Sequence, residues 1–197
     1  VSAYTLWALH HTKIRVARVP DGTIDRAKAY VRRYLEQKSG DPLFRVTATF
    51  IVDVLAEVGA PDTSYMSQLY AQKQDLPLFA KALLLHAMAI SKQKPSLLAE
   101  LTRDLENQLR IDGNSAYVSE NLGDAYAVLM DSPARSSALA LRALLVVKPD
   151  HPLGAKLARG LLGARRGGTW RSTQETAYAL LSLDEYRKAQ ERVVPDF

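Results

Sequence analysis

Apolar residues recur at helical spacing along most of the chain, and the gaps between these stretches fall on proline, glycine and aspartate. The pattern predicts a first helix over about 1–16, with Tyr4, Trp7 and Leu9 among its apolar positions, broken by Pro20-Asp21-Gly22. A second runs from a cap at Thr23 to about Gln37. Ile24, Ala27, Tyr30, Val31, Tyr34 and Leu35 fall on one face and Asp25, Arg26, Lys28, Arg32 and Arg33 on the other. Asp41 caps a third, Leu43 to Val58, with Pro42 at its first position; this helix is apolar nearly all round, as a helix buried on several sides must be. A short helix from Ser64 to about Lys73 follows, then an apolar one from Leu78 to about Lys92. Next comes an amphipathic helix from Pro95 to about Leu109, with Leu97, Leu98, Leu101, Leu105 and Leu109 on one side. Ala116-Tyr117-Val118 and Tyr126-Ala127-Val128-Leu129, flanking Asn121-Leu122-Gly123-Asp124, read as two short strands around a turn. Helices from Ser132-Pro133 to about Val147, from Asp150-His151-Pro152 to about Ala164, and from Ser172 to about Arg192 complete the chain. The last opens with a capping box, Ser172-Thr173-Gln174-Glu175.

The helices therefore alternate between apolar and half-polar members. The apolar ones share an Ala-rich core sequence, aligned by Ala3, Ala48, Ala82, Ala138 and Ala177. The steps between these alanines are uneven but near 40 residues, as in stacked helical hairpins. An open solenoid and a closed α/α toroid both fit such a pattern. Unequal repeats disfavour a regular solenoid, and the apolar/half-polar contrast favours a toroid with apolar helices inside. The expected class is all-α: an incomplete α6/α6 ring of hairpins with a small β-hairpin insert. The ring domain is expected over 1–192, with a linker starting at 193–197. Four to five hairpins do not close a six-hairpin ring, so apolar inner-helix surface should show on the open side.

At 197 residues and 47% hydrophobic, the chain can bury one sizeable core. No apolar run reaches membrane-spanning length. The net charge of +5 and pI near 9.4 raise the question of nucleic acid. The basic groups, densest at Arg15/Arg18, Arg32/Arg33 and Arg165/Arg166/Arg171, are spread over many helices. They read as solvated faces and helix ends, so no nucleic-acid partner is expected. There is no cysteine, which excludes disulfides, Cys–zinc sites and cysteine nucleophiles within these residues. Both ends read as cut points in a longer polypeptide.

The most specific stretch is Gly167-Gly168-Thr169-Trp170-Arg171-Ser172-Thr173-Gln174-Glu175-Thr176, followed by Ala179-Leu180-Leu181-Ser182-Leu183 and Tyr186. The glycines allow a tight turn, the aromatic plugs the joint, Ser172 caps and Glu175 reciprocates. This block resembles the signature near the end of thioester domains of bacterial alpha-2-macroglobulin-like protease inhibitors. The Ala/Leu helices upstream follow in the order that family shows, and the helix from Val1 to Leu9 resembles the inner helix that follows the thioester segment. Such domains carry Cys-x-Glu-Gln, whose side chains form an internal thioester that a protease amine attacks once the bait is cut. With no cysteine here, no thioester residue is assigned. The reactivity-modulating His or Asn of the family is absent from Ser39-Gly40-Asp41-Pro42.

What the resemblance implies is a non-enzymatic module that carries and shields a thioester in a secreted parent, periplasmic or at the cell surface. Its partners would be target proteases, through the full-length parent, and neighbouring domains. No cofactor, metal or membrane insertion is expected. The signature residues, Gly167, Gly168, Trp170, Ser172, Thr173, Gln174, Glu175, Thr176 and Tyr186, are structural. Two other readings remain: an α/α-toroid enzyme of the prenyltransferase, terpene-cyclase or glycosidase kind, and a peptide-binding solenoid. The first would need carboxylates converging at inner-helix ends. The paired carboxylates Asp184/Glu185 and Glu100/Asp104 read as solvated, and His10 and His11 diverge by about 100° on a helix and cannot chelate together. His86 reads as a buried, hydrogen-bonded histidine and His151 as a capping one, without metal-site spacing.

Overall fold

The computed structural model describes residues 2–15, 19–20, 22–37, 39–120, 122–123, 126 and 132–191, without the side chains of 12–15. Nine helices lie among them: α1 Ser2–Arg15, α2 Thr23–Leu35, α3 Pro42–Glu57, α4 Thr63–Ala71, α5 Leu78–Ile90, α6 Pro95–Glu106, α7 Pro133–Val147, α8 Gly154–Gly163 and α9 Thr173–Glu191. A single 3-10 turn, Lys73–Asp75, follows α4. The strands β1 (Arg110–Asp112) and β2 (Ser115–Tyr117) form the one sheet among the described residues. The class is all-α with a small β insert.

Two kinds of helix separate by burial. In α5 every residue from Leu78 to Met88 is buried, and in α7 every residue from Arg135 to Leu145. In α3 most positions from Phe44 to Ala56 are buried as well. By contrast α2 buries Val31 and Leu35, α4 Met66 and Leu69, and α6 Leu101 and Leu105. The apolar helices pack in sequence, α1 on α3, α3 on α5, α5 on α7 and α7 on α9. The amphipathic ones lie behind: α2 against α1 and α3, α4 against α3 and α5, α6 against α5 and α7, α8 against α7 and α9. Each buried Leu of the inner row is worth about 1.5–3 kcal/mol relative to exposure, so the inner row carries most of the hydrophobic stabilisation.

The inner helices run parallel. Near their starts, the Arg135 guanidinium of α7 sits 5.5 Å from the Phe79 ring centre of α5 and 5.3 Å from that of Tyr178 in α9. Towards their ends, His86 of α5 meets Asp53 of α3, and Arg142 of α7 meets Glu57 of α3 and Glu185 of α9. The row also curls, because Trp7 of α1 stacks on Tyr178 of α9 with ring centres 5.9 Å apart.

Local chemistry accounts for most boundaries. Asp41 accepts from the Leu43 N–H at 2.9 Å, Asp62 from Tyr65 at 2.9 Å and Ser132 from Arg135 at 3.2 Å. Thr23 is not the cap of α2. Gly22, at φ +71°, takes that place, and the Thr23 hydroxyl accepts from Arg26 instead. The strand expectation also needs correction. Ala116 pairs with Ile111, and the turn is Gly113-Asn114, with Gly113 at φ +53° where a two-residue hairpin wants glycine. The expected second strand, Tyr126 to Leu129, lies outside the described residues save Tyr126, which sits in no strand, and the expected linker 193–197 lies outside them altogether. The hairpin packs on α8 at Gly160, where a Cβ would stand 2.1 Å from the Ala116 carbonyl oxygen. Among the described residues, Val146 and Leu180 are the large apolar side chains of inner helices that stand exposed, and Tyr4, Trp7 and Leu9 of α1 are half-buried.

Candidate functional site

The signature residues form the joint between α8 and α9. Gly167 (φ +58°) and Gly168 (φ +87°) reverse the chain inside a bridge between Arg166 and Thr169. Trp170 is buried in that joint and donates its indole N–H to the Leu161 carbonyl at 3.0 Å. Ser172 accepts from the Glu175 N–H at 3.1 Å. Glu175 reaches back to the Arg171 N–H at 2.8 Å, one residue before the usual partner of a capping box. Thr173 opens α9, Gln174 is half-buried, and Thr176 donates to the Ser172 carbonyl at 2.9 Å. Tyr186 packs on the core, its ring beside Gly154. The joint holds two helices at a fixed angle and brings together no set of reactive groups.

Chemistry-bearing side chains converge elsewhere, at the C-terminal mouth of the inner helices. Asp53 and Glu57 stand four residues apart on α3 and so share a face. Glu57 Oε2 accepts from the Trp7 indole at 3.1 Å and from His11 Nε2 at 3.1 Å; Oε1 accepts from Arg142 Nη1 at 3.1 Å. Arg142 Nε reaches both oxygens of Glu185 at 3.0 Å. His86 Nδ1 meets Asp53 Oδ1 at 2.7 Å, with both side chains buried. All five inner helices thus contribute: α1 His11 and Trp7, α3 Asp53 and Glu57, α5 His86, α7 Arg142, α9 Glu185.

The electrostatics follow from burial and pairing. Burial alone pushes the Glu57 carboxyl up, but the His11 hydrogen bond and the Arg142 charge outweigh it and hold the group at about 2. Asp53 goes the other way. Its burial, aided by the neighbouring Glu57 charge, raises it above the ordinary carboxylate range against the pull of His86. Arg142 is held more firmly protonated than a free guanidinium: burial opposes this, and Glu57 and Glu185 more than offset it. A cavity of about 310 Å³ adjoins the cluster, lined by His86, Arg142 and Glu185 and by apolar residues including Ile90 and Leu145.

Sequence reasoning placed His86 correctly, as buried and hydrogen-bonded, and placed Asp184 on a polar face, where it pairs with Arg187 and Lys188. His151 does accept from the Leu153 N–H at 3.2 Å, as a capping residue does, and also meets Glu106 at 3.0 Å. The solvated reading fails for Glu185, which is tied to Arg142. Asp53, Glu57 and Arg142 were missed as a group. The available signal was their charge on largely apolar helices.

No family model matches the chain. Over 198 aligned residues, 96% of its length, it is 26% identical to the alpha-2-macroglobulin homolog of Nostoc sp. strain PCC 7120. The chain is similar to a region of an alpha-2-macroglobulin homolog. It spans about 10% of that relative's length. The match runs through inner and outer helices alike and so concerns the whole array of hairpins.

Proposed function

We propose that this chain is the helical scaffold of a thioester-type domain within an alpha-2-macroglobulin-like protease inhibitor. It is non-catalytic and acts periplasmically or extracellularly through its parent. The observation that carries the reading is similarity along 96% of the chain to the Nostoc homolog, in a molecule whose helices are layered inner against outer. The Gly167–Tyr186 joint supports it. The chain has no cysteine, so any thioester belongs to other residues of the parent. The part played here is mechanical. A row of parallel inner helices, tied at one mouth by Arg142 and Glu57, gives a stiff body that shields a reactive neighbour and shifts as a unit when a protease cuts the parent.

The acidic mouth favours a second reading, the α/α-toroid enzyme, because carboxylates do converge at inner-helix ends. It is the weaker one. A Glu57 held at about 2 is no proton donor near neutral pH, and its oxygens already accept from three donors. The deciding experiment incubates the parent protein with a broad-specificity endopeptidase and follows cleavage of a protein substrate and of a short peptide. The inhibitor reading predicts that protein cleavage falls while peptide cleavage persists, because trapping excludes by size. Undiminished cleavage of both substrates would overturn it.

A further inference from the structure

The buried mouth gathers three carboxylates around one guanidinium. Asp53, Glu57 and Glu185 face it from α3 and α9, and Arg142 from α7 is the one permanently charged cation in the hydrogen-bonded cluster; Lys188, which also lines the cavity, is paired with Asp184. The parallel inner helices add the negative ends of their dipoles at the same mouth. Buried charge of this kind is paired or coordinates a metal.

The ligand atoms for a metal are in place. One oxygen each from Asp53 and Glu57 and one nitrogen of His86 lie within 4.8 Å of one another. A tetrahedral zinc ion with bonds of about 2.0–2.2 Å spaces its ligands roughly 3.3–3.6 Å apart, so shifts of about an ångström close the set. A supporting shell exists as well. The Trp7 indole and Arg142 hold the Glu57 carboxylate, as outer partners hold ligating carboxylates. A second observation is independent of the carboxylates. His86 is 94% buried, its Nδ1 is taken by Asp53, and its remaining nitrogen has no partner among the described residues while the ring lines the 310 Å³ cavity. Of the three ligands it is His86 that faces this cavity, beside Arg142 and Glu185.

We propose that Asp53, Glu57 and His86 form a site for one borderline divalent first-row cation, zinc foremost, at the C-terminal mouth of the inner helices. One imidazole and two carboxylates suit such an ion better than calcium or magnesium, which take oxygen alone. The ion would join α3 to α5 as Arg142 joins α3 to α7 and α9.

The test strips the purified chain with a chelator and titrates it with Co²⁺, read by visible absorption, with Zn²⁺ as competitor. The expected result is one equivalent bound, displaced by Zn²⁺. His86→Gln and Asp53→Asn should bind more than about 100-fold more weakly or not at all, beyond the roughly 10–100-fold loss typical of an outer-shell change. His151→Gln, which alters a histidine paired with Glu106 away from this mouth, should bind as the unaltered chain does. Thermal melts of the unaltered chain with and without Zn²⁺ guard against variants that fail to fold, and should show a higher Tm with the ion. No bound equivalent, no rise in Tm, or His86→Gln binding at full affinity would each overturn the proposal.

Discussion

Glu57 is the residue on which most of the inner row's polar connections meet, joined to α1 through Trp7 and His11 and to α7 through Arg142. Its carboxyl is lowered from an ordinary 4.5 to about 2. A group depressed in the folded state contributes stability above its unfolded value and loses it as pH falls through the folded one. The contribution here is roughly 3 kcal/mol, complete above about pH 4.5 and gone near pH 2. Glu57→Gln should therefore unfold more easily at pH 7 by about that amount, and the gap to the unaltered chain should shrink as pH drops from 4.5 towards 2. Denaturant melts at pH 7 and pH 3 measure it. The cluster was missed, although half of it left a sign in the sequence. Asp53 and Glu57 sit four apart on a largely apolar helix whose other charge is Arg45, which marks a shared face. Their partners were not legible, because His86 and Arg142 lie 33 and 85 residues from Asp53 and Glu57, and only packing of α3, α5 and α7 sets them opposite one another.

Among the elements, helices and most of their caps were readable because each rests on neighbours within four residues, as Asp41 with Leu43 and Ser172 with Glu175 show, Thr23 being the exception. The hairpin was misplaced for a related reason. Ala116 to Val118 has strand character, but its partner Arg110–Asp112 is three residues long and exposed throughout, too short to carry a periodic signal of its own. What fixes the hairpin is its docking on α8 through Gly160. Gly160→Ala should improve helix propensity, yet its Cβ would stand 2.1 Å from the Ala116 carbonyl oxygen, which is backbone and cannot swing aside. Overpacking of this kind costs about 1–3 kcal/mol, or a Tm fall of roughly 2–10 °C in a chain of this size. Differential scanning calorimetry would show it. Unchanged stability would mean that the hairpin does not sit against α8.

At the scale of the molecule, the alternation of apolar and half-polar helices announced an inner and an outer layer, and the contacts have that arrangement. The curl that brings Trp7 onto Tyr178 was not announced, since it depends on the angle each hairpin makes with the next and not on any one hairpin's pattern. In the proposed function this layered body is the stiff part of a protease trap. Hydrogen–deuterium exchange across residues 2–191 of the parent, before and after a protease cuts it, tests that most directly. Amides of α3, α5 and α7 should stay protected together in both states, while exposed faces of the outer helices change their exchange as neighbouring domains shift. An exchange pattern identical before and after cleavage, or a loss of protection throughout the inner row, would contradict it.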